Sequence, residues 1–181
     1  TVVLNHVNYA GWSHKSSISV ILGKGGGRFD NPVSFAEVNG RYFSIALNDF
    51  NGDGYPDLAL TTVSPDSRYK LIILTGNGDG TFRAASNYTI NAPGKILVGA
   101  FDGNIYPDII IAGIAGKLIF FSGNGDGSFH GPVESGINSN YSSVLDGASS
   151  DFNHDGVSDI VVAAGNRELF VLTGNGDVIE P

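Results

Sequence analysis

The apolar positions fall in short runs broken every few residues by glycine, asparagine and aspartate. "YFSIAL" (42–47) alternates, which predicts a strand with Phe43, Ile45 and Leu47 on one side. "DIIIAG" (108–113) and "DIVVAA" (159–164) are apolar at consecutive positions, the pattern of strands buried on both faces. No stretch carries a 3.6-residue apolar stripe long enough for a helix. The chain therefore reads as all-β.

The runs repeat. "DFNGDGYPDLAL" (49–60) returns as "AFDGNIYPDIII" (100–111) and "DFNHDGVSDIVV" (151–162), shifted by 51 residues each time. A second motif, "KLIILTGNGDGTF" (70–82), returns as "KLIFFSGNGDGSF" (117–129) and "ELFVLTGNGD" (168–177). A worn copy stands at "ISVILGKGGGRF" (18–29). Each unit reads as four antiparallel strands. The first runs into the Asp loop, the second runs out of it, and the third turns at "GNGDG" into the fourth. Four-stranded units of about 40–50 residues mark a β-propeller, whose blades cover one another's faces. The single propeller region, 1–181, divides into blades at 1–38 (partial), 39–91, 92–140 and 141–181 (partial). That makes fourteen strands, or about three and a half blades, against the usual four to eight. The expectation is a fragment of a longer chain, or a ring completed in trans, with open sheet edges available for self-association.

Composition narrows the function. Of 181 residues 26 are glycine, far above the usual share of about 7%, as many tight turns require. The net charge of −8 argues against nucleic acid, which needs a basic face. No segment approaches the roughly 18 apolar residues of a membrane span. Without cysteine there is no disulfide framework and no thiolate metal site.

The acids concentrate in the repeated loops. In the first, Asp49, Asn51, Asp53 and Asp57 offer side-chain oxygens at alternate positions, and Tyr55 offers its carbonyl. A set of hard oxygens with no soft donor describes calcium. An EF-hand is excluded, because its twelfth position, a bidentate Glu, is here Leu60, and Val162 in the third copy. Without metal, the same residues would serve as Asx turns capping local amides. The third loop offers Asp151, Asn153, Asp155, Asp159 and the carbonyl of Val157, with His154 facing solvent. The second retains Asp102, Asn104, Asp108 and the Tyr106 carbonyl. It has Ala100 in place of the first acid and Ile105 in place of a glycine, which disfavours a left-handed residue there. Two calcium sites are expected, with weaker binding or none at the second loop. Asp79, Asp126 and Asp177 read as hairpin-turn residues.

The Asp loops and "GNGDGTF" turns resemble the FG-GAP repeats, also called VCBS repeats, of the integrin alpha-subunit propeller and its bacterial and fungal relatives. The resemblance covers nearly the whole chain. It implies a propeller with calcium in the Asp loops, and Ala100 and Ile105 depart from its pattern. Family members include adhesion receptors, fungal lectins and accessory domains of secreted polysaccharide-degrading enzymes.

Nothing in the sequence marks an active site. His6, His14, His130 and His154 share no metal-binding spacing, and no Ser occupies a nucleophile elbow. Acids that repeat in every unit behave as structure, so the chain is expected not to be an enzyme. Tyr9, Trp12 and His14 form either a platform for a sugar ring or a blade-edge packing group. "NYT" (87–89) and "NYS" (140–142) are glycosylation sequons. The expected role is an extracellular, secreted or cell-surface module recognising a glycan or a protein, with structural calcium. The alternatives are an accessory domain of a larger secreted enzyme, or a subunit of a surface assembly or filament.

Overall fold

The structure is a computed structural model and describes residues 2–6, 15–113, 116–136, 144–165 and 167–176. Tyr9, Trp12, His14 and Asp177 lie outside these residues, as does the second sequon. Among the described residues there is no helix, and all strand pairing is antiparallel.

The first sheet joins β1 (Val2–His6), β2 (Lys15–Val20) and β5 (Val33–Asn39). Between the last two, the "GKGGGRF" segment makes a small hairpin of β3 (Gly23–Gly25) and β4 (Arg28–Phe29). The second sheet runs in order from β6 (Arg41–Asn48) through β7 (Asp57–Val63) and β8 (Tyr69–Gly76) to β9 (Phe82–Ile90). The third repeats it with β10 (Gly94–Gly99), β11 (Asp108–Gly113), β12 (Lys117–Gly123) and β13 (Phe129–Gly136). The fourth holds β14 (Val144–Ser150), β15 (Asp159–Ala164) and β16 (Leu169–Leu172). Among the described residues the four sheets thus hold three, four, four and three strands, as the repeat predicts, and the small hairpin is additional.

The sheets stack face to face as blades. Ile18 of the first meets Leu58 and Leu60 of the second. Ala59, Leu71 and Ile73 on the other face of the second meet Ile109, Ile111, Ile119 and Phe121 of the third. Leu97, Ile110, Ala112, Leu118 and Phe120 of the third meet Ile160 and Val162 of the fourth. This explains why β11 is apolar from Ile109 to Ala112: alternate residues enter different interfaces, and all six residues of the strand are buried. Removing a large side chain from water at such a seam stabilises by about 1.5–3 kcal/mol. The first strands of neighbouring sheets adjoin, β6 beside β10 and β10 beside β14. Polar bonds tie them, from the Ile96 N–H to Ser44 Oγ (3.0 Å) and from Ser149 Oγ to the Val98 carbonyl (2.6 Å).

One strand departs from its sequence pattern. Phe43 is an extra residue in β6, where pairing with β7 jumps between Tyr42 and Ser44. The bulge brings Tyr42 onto the face of Ile45, in the first seam. Phe43 is left half exposed, edge-on to Tyr69 at 6.3 Å. Leu47, at the loop end of the strand, is also exposed. The three residues therefore do not form one buried row.

Candidate functional site: the repeated Asp loops

Each Asp loop joins the first two strands of a sheet, and its last acid is where the second strand begins. Asp57, Asp108 and Asp159 are fully buried. One oxygen of each accepts the N–H of the phenylalanine at the loop's start: Phe50 at 2.9 Å, Phe101 at 2.7 Å and Phe152 at 2.8 Å. The other accepts the N–H of a glycine at the end of the third strand or just past it: Gly76, Gly123 and Gly174, each at 2.8 Å. The carboxylate therefore pins loop, second strand and third strand together. Burial pushes the Asp57 and Asp108 carboxyls above the usual carboxylate range, while the two glycine and phenylalanine amides pull them down.

The glycine is required by space rather than by dihedral angle. A Cβ on Gly76 would lie 2.2 Å from the Pro56 carbonyl oxygen, and one on Gly123 would lie 2.2 Å from that of Pro107.

The remaining donors crown the loop. In the first copy, Asp49 accepts N–H bonds from Gly52 (2.8 Å), Asp53 (3.2 Å) and Gly54 (2.8 Å). Asp53 accepts from Tyr55 N (2.8 Å) and Asn51 Nδ2 (2.9 Å), while Asn51 Oδ1 accepts from Asp53 N (2.9 Å). The third copy reproduces the pattern. Asp151 accepts from Asp155 N (3.2 Å) and Gly156 N (3.0 Å). Asp155 accepts from Val157 N (2.8 Å) and Asn153 Nδ2 (2.8 Å). Burial raises Asp151, yet the amides of Gly156, His154 and Asp155 outweigh it and hold the carboxyl low. The left-handed positions are Gly52 (φ 74°) and Gly54 (φ 84°) in the first loop. In the third they are His154 (φ 63°) and Gly156 (φ 90°), with the His154 side chain exposed.

The second loop is built differently. Gly103 is left-handed (φ 77°), but Ile105 is not, and its side chain is 89% exposed. With Ala100 in place of the first acid, Asp102 turns to protein donors. Its Oδ2 accepts from Ser122 Oγ (2.7 Å) and Asn104 Nδ2 (2.8 Å), and Asn104 Oδ1 accepts from Tyr106 N (2.6 Å). Ala100 is instead bound to the next sheet. Its N–H donates to Ser158 Oγ (3.1 Å), and the Ser158 N–H donates to its carbonyl (2.8 Å).

For a cation, the first and third loops fit in kind. Their donors are hard oxygens, and an ionised carboxylate has about four acceptor positions, more than the amides fill. Among the described residues, however, no three acids or histidines are gathered as a metal centre. The side chains are drawn onto the loop amides, as in Asx turns. Asp79 and Asp126 are hairpin residues, each accepting the N–H (2.9 Å) and hydroxyl (2.6 Å) of Thr81 and Ser128. Asn87 of the first sequon is exposed on β9.

The buried clasp on the last acid was not anticipated from sequence, where that acid reads as one more cation donor. The available signal was the glycine closing every third strand, at Gly76, Gly123 and Gly174.

A search of curated proteins returns no match. The family model of the FG-GAP-like repeat matches residues 49–104 and 100–162, which together span more than half of the chain. Both matches start at an Asp loop, take in the remaining three strands of that loop's sheet and run through the first strand of the next sheet into its Asp loop. The chain belongs to the FG-GAP-like repeat family.

Proposed function

We propose that the chain is a non-catalytic, extracellular recognition module whose Asp loops are held by structural calcium. The observation that carries the reading is the donor set at 49–57 and its near copy at 151–159, preorganised by the loop's own amides. Asp49, Asn51, Asp53, Asp57 and the Tyr55 carbonyl would hold one ion. Asp151, Asn153, Asp155, Asp159 and the Val157 carbonyl would hold the other. The ion supplies positive charge that offsets repulsion among clustered carboxylates. The second loop is assigned none, because Asp102 is engaged by Ser122. Millimolar calcium outside cells suits loops of this open kind. The ligand is a glycan or another protein, recognised by loops that do not repeat.

Calcium titration by calorimetry, with thermal melts in calcium and in chelator, tests the reading. Two sites are expected, with a rise in melting temperature equivalent to about 2.7 kcal/mol per site at a hundredfold excess over Kd. Asp49→Ala and Asp151→Ala should each remove one site. No heat and unchanged melting would reject calcium. A glycan array then separates carbohydrate from protein recognition.

A second reading, a part of a larger protein or surface assembly, is favoured by the outer face of the fourth sheet. Leu169 and Val171 are exposed there, whereas their repeat counterparts Leu118 and Phe120 are buried. Light scattering in solution tests for assembly, and a monomer across the working concentration range counts against it.

A further inference from the structure

Asn87, Tyr88 and Thr89 place the first sequon on β9, the strand that ends the second sheet among the described residues. The middle residue fixes how the other two face. The Tyr88 ring is drawn into the seam with the third sheet, 5.3 Å from Phe121 and 6.3 Å from Phe129. Its hydroxyl accepts the Phe129 N–H at 2.8 Å. Side chains alternate along a strand, so Asn87 and Thr89 share the opposite face, and both are exposed. A slip of one residue would turn the asparagine inward and the tyrosine outward, so the seam locks the sequon towards solvent.

The edge at this place is also bare in a way that its repeat is not. Asn87 lies opposite Ile72 of β8, and Glu134 of β13 lies at the same position opposite Ile119 of β12. Two residues earlier, Ala85 stands where β13 has Pro132. Charge and proline on an edge strand hinder a second chain from pairing with it. β13 carries both, and Glu134 and Pro132 are exposed. From Ala84 to Ile90, β9 carries neither. The one charge on β9, Arg83, is turned to Thr75 Oγ1 at 2.9 Å. An uncharged, proline-free strand of this kind is a template for pairing.

We propose that Asn87 carries an N-linked glycan, which guards the β9 edge as Glu134 and Pro132 guard that of β13. The inference rests on the extracellular reading, because the sugar donor, an oligosaccharide on a lipid pyrophosphate, belongs to the secretory pathway. In the transfer, Asn87 Nδ2 bonds to the anomeric carbon of the oligosaccharide. The bond from that carbon to the pyrophosphate oxygen breaks and its electron pair leaves with the pyrophosphate, while Nδ2 gives one proton to base. Thr89 supplies the hydroxyl that the acceptor motif requires two residues on. The glycan is bulky and hydrophilic, and on the exposed face it obstructs an incoming strand without entering the seam.

Occupancy is read by peptide mapping of the chain secreted from eukaryotic cells behind an appended leader. N-glycosidase should leave aspartate at position 87, and Thr89→Ala should leave the asparagine unmodified. A bare Asn87 in the secreted protein overturns the proposal and leaves the extracellular reading standing. Light scattering then tests the guarding role, with Asn140→Gln in every sample to confine the glycan to Asn87. Asn87→Gln, neutral and without glycan, should lose its monomer as concentration rises. Asn87→Glu, which places the charge of the third sheet on this edge, should stay monomeric. An Asn87→Gln chain that remains monomeric, or two variants that associate alike, overturns the guarding role. Should Asn87→Gln fail to fold, Thr89→Ala removes the same glycan with Asn87 in place, and its association decides.

Discussion

Asp57, Asp108 and Asp159 spend both carboxylate oxygens on backbone N–H groups from separate turns. Asparagine at such a position sets an NH₂ against an N–H donor, leaving a buried donor unsatisfied. Asp108→Asn should therefore cost about 2–3 kcal/mol in urea unfolding, with or without calcium. Asp53 is exposed, and Asp53→Asn without calcium should stay within about 0.5 kcal/mol of the parent. With calcium, that variant should lose part of the metal-dependent rise in melting temperature. The hairpin acids provide a pH test. The Thr81 hydroxyl lowers Asp79 below its ordinary value of 3.8, and the Ser128 hydroxyl does the same for Asp126. A carboxyl depressed in the folded state adds stability above its unfolded value and loses it as pH falls through the folded one. NMR titration should place both acids below 3.8, and Thr81→Val should move Asp79 back up.

At the scale of strands and turns, two glycines separate two kinds of constraint. Gly54 has open space beside it but a φ of 84°, so Gly54→Ala should cost about 1 kcal/mol. Gly76 has an ordinary φ but faces the Pro56 carbonyl at contact distance. Gly76→Ala must shift backbone beside the Asp57 clasp and should cost about 3 kcal/mol, read from denaturant midpoints. Strand order and the doubly buried strands were legible in the sequence because period and repeat both encode them. β11 is apolar from Ile109 to Ala112 for the plain reason that sheets cover both its faces. The bulge at Phe43 was not legible, since an inserted residue leaves local alternation intact and shows only in pairing with β7. The Asp loops were legible as oxygen-rich turns. The separate duty of their last acid was hidden, because its second partner lies 15 to 19 residues away across a strand.

For the molecule as a whole, stability resides in seams between sheets. Phe129 joins two sheets through Phe50 and Tyr88, so Phe129→Ala should lower unfolding free energy by about 3–5 kcal/mol. The seams are also stitched through the backbone, by Gly127 N–H to the Phe50 carbonyl (2.9 Å) and Ser158 N–H to the Ala100 carbonyl (2.8 Å). Each stitch connects only neighbours, so the molecule behaves as a short one-dimensional array. Such an array loses order from its ends inward. Under native conditions, deuterium should enter the β2 and β16 amides first and those of β7, β8, β11 and β12 last, and the interval between them measures how tightly adjacent blades are bound in time.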